Sequence, residues 1–332
     1  HLHRHASHAA FTVVTSTLDE EPAVAVCTVL AQIKEGHALL LDAEIELPAG
    51  CLGKLLAAAG SQPQVASVTP FSNGNGKGLT AVAFLQHSDG SPVLPVAQLD
   101  AAAATANPAT YLQLPSAGAG CVLLTRQALD CIQQAATAKG HTERVLQAFT
   151  QHLTQVGMVN LLACDTFVAD WRQQSHSLLP PAVESSALAV SQPQQLGAAR
   201  VALCLQAMHQ SGVPLVLQVT HRIGGGVERH VRELQTVLAG RAWVLVLRPS
   251  AKPGAVRLAF GAADAVDQLD FNLPADAAHL QWALLSAGLA RIHIHHINGF
   301  CEALWPALLE LERPVDLTLH DYTIIAGSPT LT

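Results

Sequence analysis

The sequence predicts an α/β protein with two domains. Short apolar runs that favour strands alternate with segments whose apolar residues recur at helical spacing, and the alternation continues through both halves of the 332 residues. Between about Leu178 and Gly197, Pro, Ser, Gln and Ala break both periodicities, which is typical of a linker. We therefore expect a first domain over residues 1–184, a linker over 185–198 and a second domain over 199–332.

In the first half the pattern predicts two strands, Ala38–Leu41 and Val65–Thr69. It predicts three helices, Leu52–Ala59, Arg126–Ala138 and Val145–Val156. Compact runs rich in Val, Ile and Leu favour buried strands, whereas apolar residues three and four apart favour helices that cover a sheet.

The second half repeats this class of pattern with different motifs. The predicted strands are Pro214–Val219, Trp243–Leu247, Val256–Phe260, Ile292–Ile297 and Val315–Leu319. The predicted helices are Val227–Leu238, Ala277–Ala287 and Cys301–Leu311. Such alternation predicts a parallel sheet with helices on both faces.

The composition excludes several classes of function. The net charge is −7 with only 18 Lys and Arg residues, and no basic stripe is present, so nucleic acid is not an expected partner. Seven cysteines are scattered without a CxxC pair, which indicates reduced thiols and a cytoplasmic location. No apolar run reaches the roughly 20 residues that a membrane-spanning helix requires.

Two carboxylates directly follow the first predicted strand. Asp42 and Glu44 come after the apolar run Leu39–Leu41. Because ligands bind at the carboxyl ends of strands in α/β sheets, these oxygens could hold Mn²⁺ or Mg²⁺ together with a diphosphate. The alternative is a turn whose acidic side chains are solvated.

Two further segments follow the acidic pair in the first half: the Thr-Pro-Phe-Ser-Asn run at Thr69–Asn73, and the small-residue loop at Pro115–Cys121 that leads into a strand and Arg126. In this order the three segments resemble family 2 glycosyltransferases of the GT-A fold. The resemblance implies an inverting transfer from a nucleotide-diphosphate sugar, with Asp42 and Glu44 as ligands of a divalent metal.

One part of that family's pattern is missing. Where the family has acidic residues, including the general base, this chain reads Val145–Phe149 without a carboxylate. An inverting transfer needs a carboxylate to accept the proton of the attacking hydroxyl. Either Glu143 or Asp165 substitutes for it, or the first domain is inactive and serves as a binding scaffold.

The second half contains a glycine loop between a predicted strand and a predicted helix. Gly224, Gly225 and Gly226 follow Val219 at a short distance and precede the predicted helix. Glycines allow close approach of the backbone to a ligand, and the N–H groups at a helix start favour an anion. The alternative is a simple tight turn.

The longer string Gly225–His230, with the helix after it, resembles the amino-terminal domain of family 4 glycosyltransferases, which have the GT-B fold. The strand ends at Ile292–Gly299 and Asp316–Tyr322 agree with that family. The resemblance implies a retaining transfer without a metal or other cofactor. It places Gly224 to Gly226 near the diphosphate or acceptor, with His320 and Asp321 as catalytic residues.

The chain departs from the pattern of that family after Tyr322. The family has an aromatic, Cys and Pro segment where this chain reads Thr323–Gly327, and its donor-binding domain would follow Thr332. We therefore expect both ends of this sequence to be cuts through larger domains, and the chain to be a fragment that is inactive in the second reaction by itself.

Histidines are abundant, with 17 in the chain. His293 and His295 face the same side of a predicted strand, so a two-ligand metal clamp is conceivable. The sequence places no third ligand beside them, and strand-end histidines in the resembled family contact substrate or backbone. We expect no metal there.

Together these patterns predict a glycosyltransferase fragment that transfers a sugar from a nucleotide-diphosphate donor to a glycan acceptor in the biosynthesis of a surface polysaccharide. The resemblance implies a location in the cytoplasm and allows peripheral association with the inner face of a membrane. The alternatives are an inactive carbohydrate- or nucleotide-binding scaffold and a dinucleotide enzyme. The dinucleotide enzyme is disfavoured because the glycines lack GxGxxG spacing.

Overall fold

The computed structural model describes residues 29–30, 32–74, 79–87, 89–118, 120–131, 142–171, 192–222, 225–260 and 268–320. The chain is an α/β protein with two mixed sheets. Its internal contacts divide it into two compact units, His1–Ala199 and Arg200–Thr332. Each unit is described by itself below.

The first unit contains a six-stranded sheet. Its strands are β1 (Ala38–Leu41), β2 (Ile45–Glu46), β3 (Val65–Ser72), β4 (Tyr111–Leu114), β5 (Cys121–Leu124) and β6 (Val159–Asp170). The order is β1-β5-β3-β6-β2, with β4 also beside β6. Strands β3 and β6 are parallel, and the other described pairs of this sheet are antiparallel.

Helices cover both faces of the first sheet. The described helices are α1 (Cys51–Ala59), α2 (Val96–Ala106), α3 (Arg126–Asp130) and α4 (Thr142–Gln155), and a short 3-10 helix spans Ala83–Leu85. Successive residues of β5 point to opposite faces, so Leu123 packs with Leu55 of α1 while Leu124 packs with Phe149 of α4. The apolar faces of α1 and α4 therefore pack on opposite faces of the same sheet.

The last residues of the predicted linker are helical. Helix α5 (Pro193–Ser211) includes the last residues of the segment that the sequence assigned to a linker over 185–198. Proline is tolerated in the first turn of a helix, where its missing N–H would have no partner, and the Gln, Leu and Ala residues after it favour helix. Residues 185–191 lie outside the described part of the chain.

The second unit contains another six-stranded sheet. Its strands are β7 (Leu215–Val219), β8 (Trp243–Pro249), β9 (Ala255–Phe260), β10 (Gln268–Asn272), β11 (Leu289–Ile294) and β12 (Val315–Leu317). The helices that follow α5 are α6 (Gly226–Leu238), α7 (Ala277–Ser286) and α8 (Leu304–Leu309). The order is β10-β9-β8-β7-β11-β12.

The prediction of a fully parallel second sheet is wrong. Strands β8, β7, β11 and β12 are parallel, but β9 and β10 run antiparallel to their neighbours. Only five residues separate β8 from β9. That length suits a hairpin, whereas a parallel crossover needs about a dozen residues or more.

Two further expectations concern single features. None of the six cysteines in the described residues forms a disulfide, as the scattered spacing predicts. Within the described ranges, no helix combines the length and the apolar composition that crossing a membrane requires.

Candidate functional site

The second sheet has a crevice where its connections diverge. From β7 the chain passes through α6 to β8 on one side, and from β11 it passes through α8 to β12 on the other side. Strands β7 and β11 are adjacent and parallel, so the loops at their carboxyl ends separate from each other. In open α/β sheets this switch point is where ligands bind.

The glycine loop lies at this edge of the sheet, after β7. Gly225 directly precedes α6 with φ 83° and ψ −151°, a backbone region that is essentially restricted to glycine, and no side chain caps the helix there. A Cβ at Gly225 or Gly226 would meet no atom within 4 Å, so the space beside both residues is open. Gly224 lies outside the described residues.

A buried polar layer lies on the sheet face that α6 covers. Gln218 pairs in register with His293, so their side chains share a face, and His293 shares it with His295 two residues later. The ring of His230, on α6, lies 5.5 Å from that of His295, which places the helix over this face. Both amide atoms of the fully buried Gln218 lack a hydrogen-bond partner, as does Oγ1 of the buried Thr220. Buried polar atoms are rarely left unpaired, so this layer is suited to receive a polar ligand.

Three histidines meet at the edge of this layer. His230 comes from α6, His295 directly follows β11, and His320 follows β12. One ring nitrogen of each lies within 4.8 Å of one nitrogen of each of the others. Nδ1 of His295 is 3.3 Å from Nε2 of His320. The sequence predicted His320 as a site residue, while Asp321, its predicted catalytic neighbour, lies outside the described residues.

The environment keeps His295 neutral. The residue is 1% exposed, and Nε2 of its ring is buried without a hydrogen-bond partner. Burial, followed by the charges of His293, His320 and His230, lowers the pKa of His295 to about 3. A neutral imidazole keeps a nitrogen lone pair that can accept a hydrogen bond or ligate a metal.

Neighbouring contacts hold the cluster in place. Nε2 of His293 lies 2.7 Å from Oγ1 of Thr318, and the amide of Thr318 donates to the carbonyl of Ile294 at 2.9 Å. The amide of His295 donates to the carbonyl of Val219 at 2.9 Å. The ends of β7, β11 and β12 are therefore tied together beneath the rings.

Two other features lie nearby. His221 and His296 are buried with their rings 4.5 Å apart, and the amide of Asn298 donates to Nδ1 of His296 at 3.1 Å. An open groove of about 530 Å³ runs along α6, lined by Gly225, Glu228, Arg229, Arg232, Glu233 and Thr236. The groove contains none of the clustered histidines, but it begins at Gly225, so it adjoins the crevice at the start of α6.

In the first unit, the predicted metal ligands lie in an exposed turn. Asp42 and Glu44 stand between β1 and β2, and both are exposed. The turn is fixed by its backbone: the amide of Asp42 donates to Gly120, and the amide of Trp171 donates to Glu44. The two carboxylates are thus available to solvent at the carboxyl end of β1.

One of the two candidate bases of the first unit, Asp165, is buried. Leu146 and Phe149, from the stretch where the resembled family has acidic residues, lie in the core. Asp165 is 8% exposed, accepts a hydrogen bond from Thr166, and has its pKa raised mainly by burial. Glu143 lies in α4, and its side chain is outside what the structure describes.

The Thr69–Asn73 segment, which carried part of the family resemblance, has a structural role. Fully buried Asn73 donates to the carbonyls of Gly90 and Asp170, and its Oδ1 accepts the amide of Asp170 at 2.7 Å. Oγ1 of Thr69 accepts the amide of Gly118 in the small-residue loop at 3.0 Å. These bonds tie β3 to β6 and to that loop.

The comparisons with known proteins give no identification. No protein-family model, no curated protein and no solved structure matches this chain. The case for a function therefore rests on the geometry of the site and on the sequence patterns.

Sequence reasoning missed part of the site. His230 stands in the string that carried the second resemblance, but nothing in its spacing shows that it faces a strand end some 65 positions later. Gln218 is a single polar residue within an apolar strand and belongs to no motif. A lone polar residue in a buried strand was the available signal, because burying an amide is costly unless something binds it.

Proposed function

We propose that the chain belongs to a glycosyltransferase and that its second unit holds the diphosphate of a nucleotide-diphosphate sugar at the carboxyl ends of β7 and β11. One observation carries the proposal: the switch point of the sheet coincides with an uncapped helix start at Gly225. N–H groups at such a start bear partial positive charge and favour phosphate. In this proposal the second unit is the amino-terminal domain of a GT-B glycosyltransferase, as the sequence resemblance predicts.

The neighbouring charges are compatible with an anion. The first turn of α6 contains Glu228, whose carboxylate would repel phosphate, but Arg248 on β8 donates to both of its oxygens at 2.8 and 3.0 Å. This pairing neutralises the carboxylate and directs it toward β8. The N–H groups of Gly225 and Gly226, which have open space beside them, are the donors that we expect to bind the phosphate.

The histidines supply the second half of the site. His320 is exposed beside the buried His295, so its ring can donate to or accept from a hydroxyl of the sugar or acceptor. We assign His320 a role in orienting the transferred sugar, with the acceptor a glycan of a surface polysaccharide assembled at the cytoplasmic face of a membrane.

The proposal is tested by measuring the affinity of the 332-residue chain for UDP-, GDP- and dTDP-linked hexoses by calorimetry. Alanine at Gly225 reorients the loop amides, so Gly225→Ala should weaken binding at least about tenfold, the equivalent of about 1.4 kcal/mol. Gly240→Ala is the matched control, because Gly240 also has a positive φ of 74° and open space but lies after α6. Equal affinities of the two variants, or no binding by the unmodified chain, would contradict the proposal.

A second candidate concerns the first unit alone. The exposed Asp42 and Glu44 favour a site for Mn²⁺ or Mg²⁺, whereas the core position of Leu146 and Phe149 leaves helix α4 without a base at that stretch. This combination favours a unit that binds a sugar nucleotide without transferring the sugar. Manganese-dependent binding without turnover would support this scaffold role, and turnover would exclude it.

A further inference from the structure

We propose that His230, His295 and His320 bind a zinc ion. The three residues come from a helix and from the ends of two parallel strands, and one nitrogen of each lies within 4.8 Å of the others. The proposal does not rest on the proposed function, because zinc binding is measurable without any sugar nucleotide. It departs from the sequence expectation, in which the second unit has no metal.

The distance between two of the three histidines fits a tetrahedral ion. Two nitrogens on a tetrahedral zinc, with Zn–N bonds of about 2.0 to 2.1 Å, stand about 3.3 Å apart. Nδ1 of His295 and Nε2 of His320 are separated by 3.3 Å. The ring of His230 lies 5.5 Å from that of His295 and 5.3 Å from that of His320, so it closes the third side.

The chemistry of the site selects zinc over harder ions. Three imidazoles are nitrogen donors that suit zinc and related transition metals, whereas Mg²⁺ and Ca²⁺ require oxygen ligands.

Three protein ligands leave one coordination position open. Sites of this kind keep a water or substrate in the fourth position, unlike the closed four-ligand sites that are purely structural. His320 is exposed while His295 is buried, so the open position faces the solvent side of the crevice. The expected fourth ligand is an oxygen, from water or from a hydroxyl or phosphate group.

Zinc affinity of the full chain, measured by competition with a chromogenic chelator, tests the proposal. All proteins carry His1, His3, His5 and His8 changed to Gln, so that these histidines do not contribute. We expect one tightly bound zinc per chain, and an affinity at least about 100-fold lower in His230→Gln and in His320→Gln, since even outer-shell changes cost 10- to 100-fold. Cobalt should give the intense visible bands of four-coordinate geometry, and these should vanish in both variants.

His279→Gln is the matched control, because the side chain of His279 is 81% exposed on α7 and outside the cluster. His320 is exposed, so its replacement should leave the fold intact, which circular dichroism checks directly. Zinc affinity in His230→Gln and His320→Gln equal to that of the control, or no stoichiometric zinc in the unmodified cluster, would overturn the proposal.

Discussion

Gly118 shows how one residue position is dictated by segments far away in the sequence. Its amide donates to Thr69, and a Cβ there would lie 2.6 Å from Cγ2 of Thr69 and 3.0 Å from Cγ2 of Thr80. Both neighbours are β-branched and buried, so neither can move without disturbing the core. Packing therefore requires glycine at position 118 of the small-residue loop.

Gly118→Ala should lower the free energy of unfolding by about 1–3 kcal/mol, the usual cost of overpacking a core. The matched control is Gly53→Ala in α1, where a Cβ meets no atom within 4 Å. Alanine is the better helix former there, so the control should be neutral or stabilised by about 0.5–1 kcal/mol. Urea denaturation of both variants measures the difference, and equal midpoints would show that the contact distances around Gly118 do not constrain the fold.

Some residues of the candidate site can be identified from the sequence alone, and others only from their contacts in the structure. Gly225, Gly226 and His320 could be selected from the sequence, because a glycine run before a helix and a histidine at a strand end each carry a local signal. His230 and Gln218 could not, because their importance arises from a meeting of helix α6 with the ends of separate strands.

At the scale of elements, α6 is the helix on which the site depends. It supplies the uncapped N-terminus, it carries His230, and it is attached to β8 through the pair formed by Glu228 and Arg248. The two side chains of that pair are only 15% and 11% exposed. The next turn carries a similar pair, Arg229 with Glu233, but these side chains are 82% and 57% exposed.

This contrast gives a matched test of the helix attachment. Glu228→Gln leaves Arg248 largely buried without a charge partner and should cost about 2–3 kcal/mol, less than the 3–5 kcal/mol of a fully buried pair. Glu233→Gln removes an exposed pair and should change stability by less than about 0.5 kcal/mol. Thermal unfolding compares them, and a loss of the same size in both variants would mean that burial does not strengthen the Glu228 pair.

Element prediction succeeded where the pattern was purely local. Strand Ala38–Leu41 has the predicted bounds, and the predicted helix at Val227–Leu238 differs from α6 by one residue. Strands β4 and β10 are among those that were missed, although Tyr111–Leu114 and Gln268–Asn272 contain alternating apolar residues, because each is short and partly polar. The helix predicted over Cys301–Leu311 is shorter, Leu304–Leu309, and contains Pro306 in its first turn, where proline is tolerated.

At the scale of the whole molecule, the class was predictable and the topology was not. Alternating strand and helix patterns indicate an α/β protein, and both sheets confirm it. The direction in which two strands pair depends on the length of the connection between them and on which strands are neighbours in space. The sequence pattern gives the lengths of the connections but not the spatial neighbours. The hairpin from β8 to β9 illustrates this, since each strand was predicted and their antiparallel pairing was not.

The switch point is likewise a property of the whole sheet. It exists because β7 lies between β8 and β11, with the chain leaving β7 and β11 in opposite directions. No single motif encodes that arrangement, although the glycine loop and the histidines are placed by it. The central claim is therefore about a location: the negative charge of the ligand binds on the side of Gly225 that faces the histidines, and not in the groove that runs from Gly225 along α6.

The most direct measurement is an NMR titration of the ¹⁵N-labelled full chain with inorganic pyrophosphate in metal-free buffer. Pyrophosphate represents the diphosphate group that all nucleotide-diphosphate donors contain, whatever their base or sugar. We predict that the largest amide shifts fall at Gly225 and Gly226 and at the residues that follow β11, His295 to Asn298. Shifts confined to the groove residues from Arg229 to Thr236, or no saturable shifts at the glycines, would contradict the account.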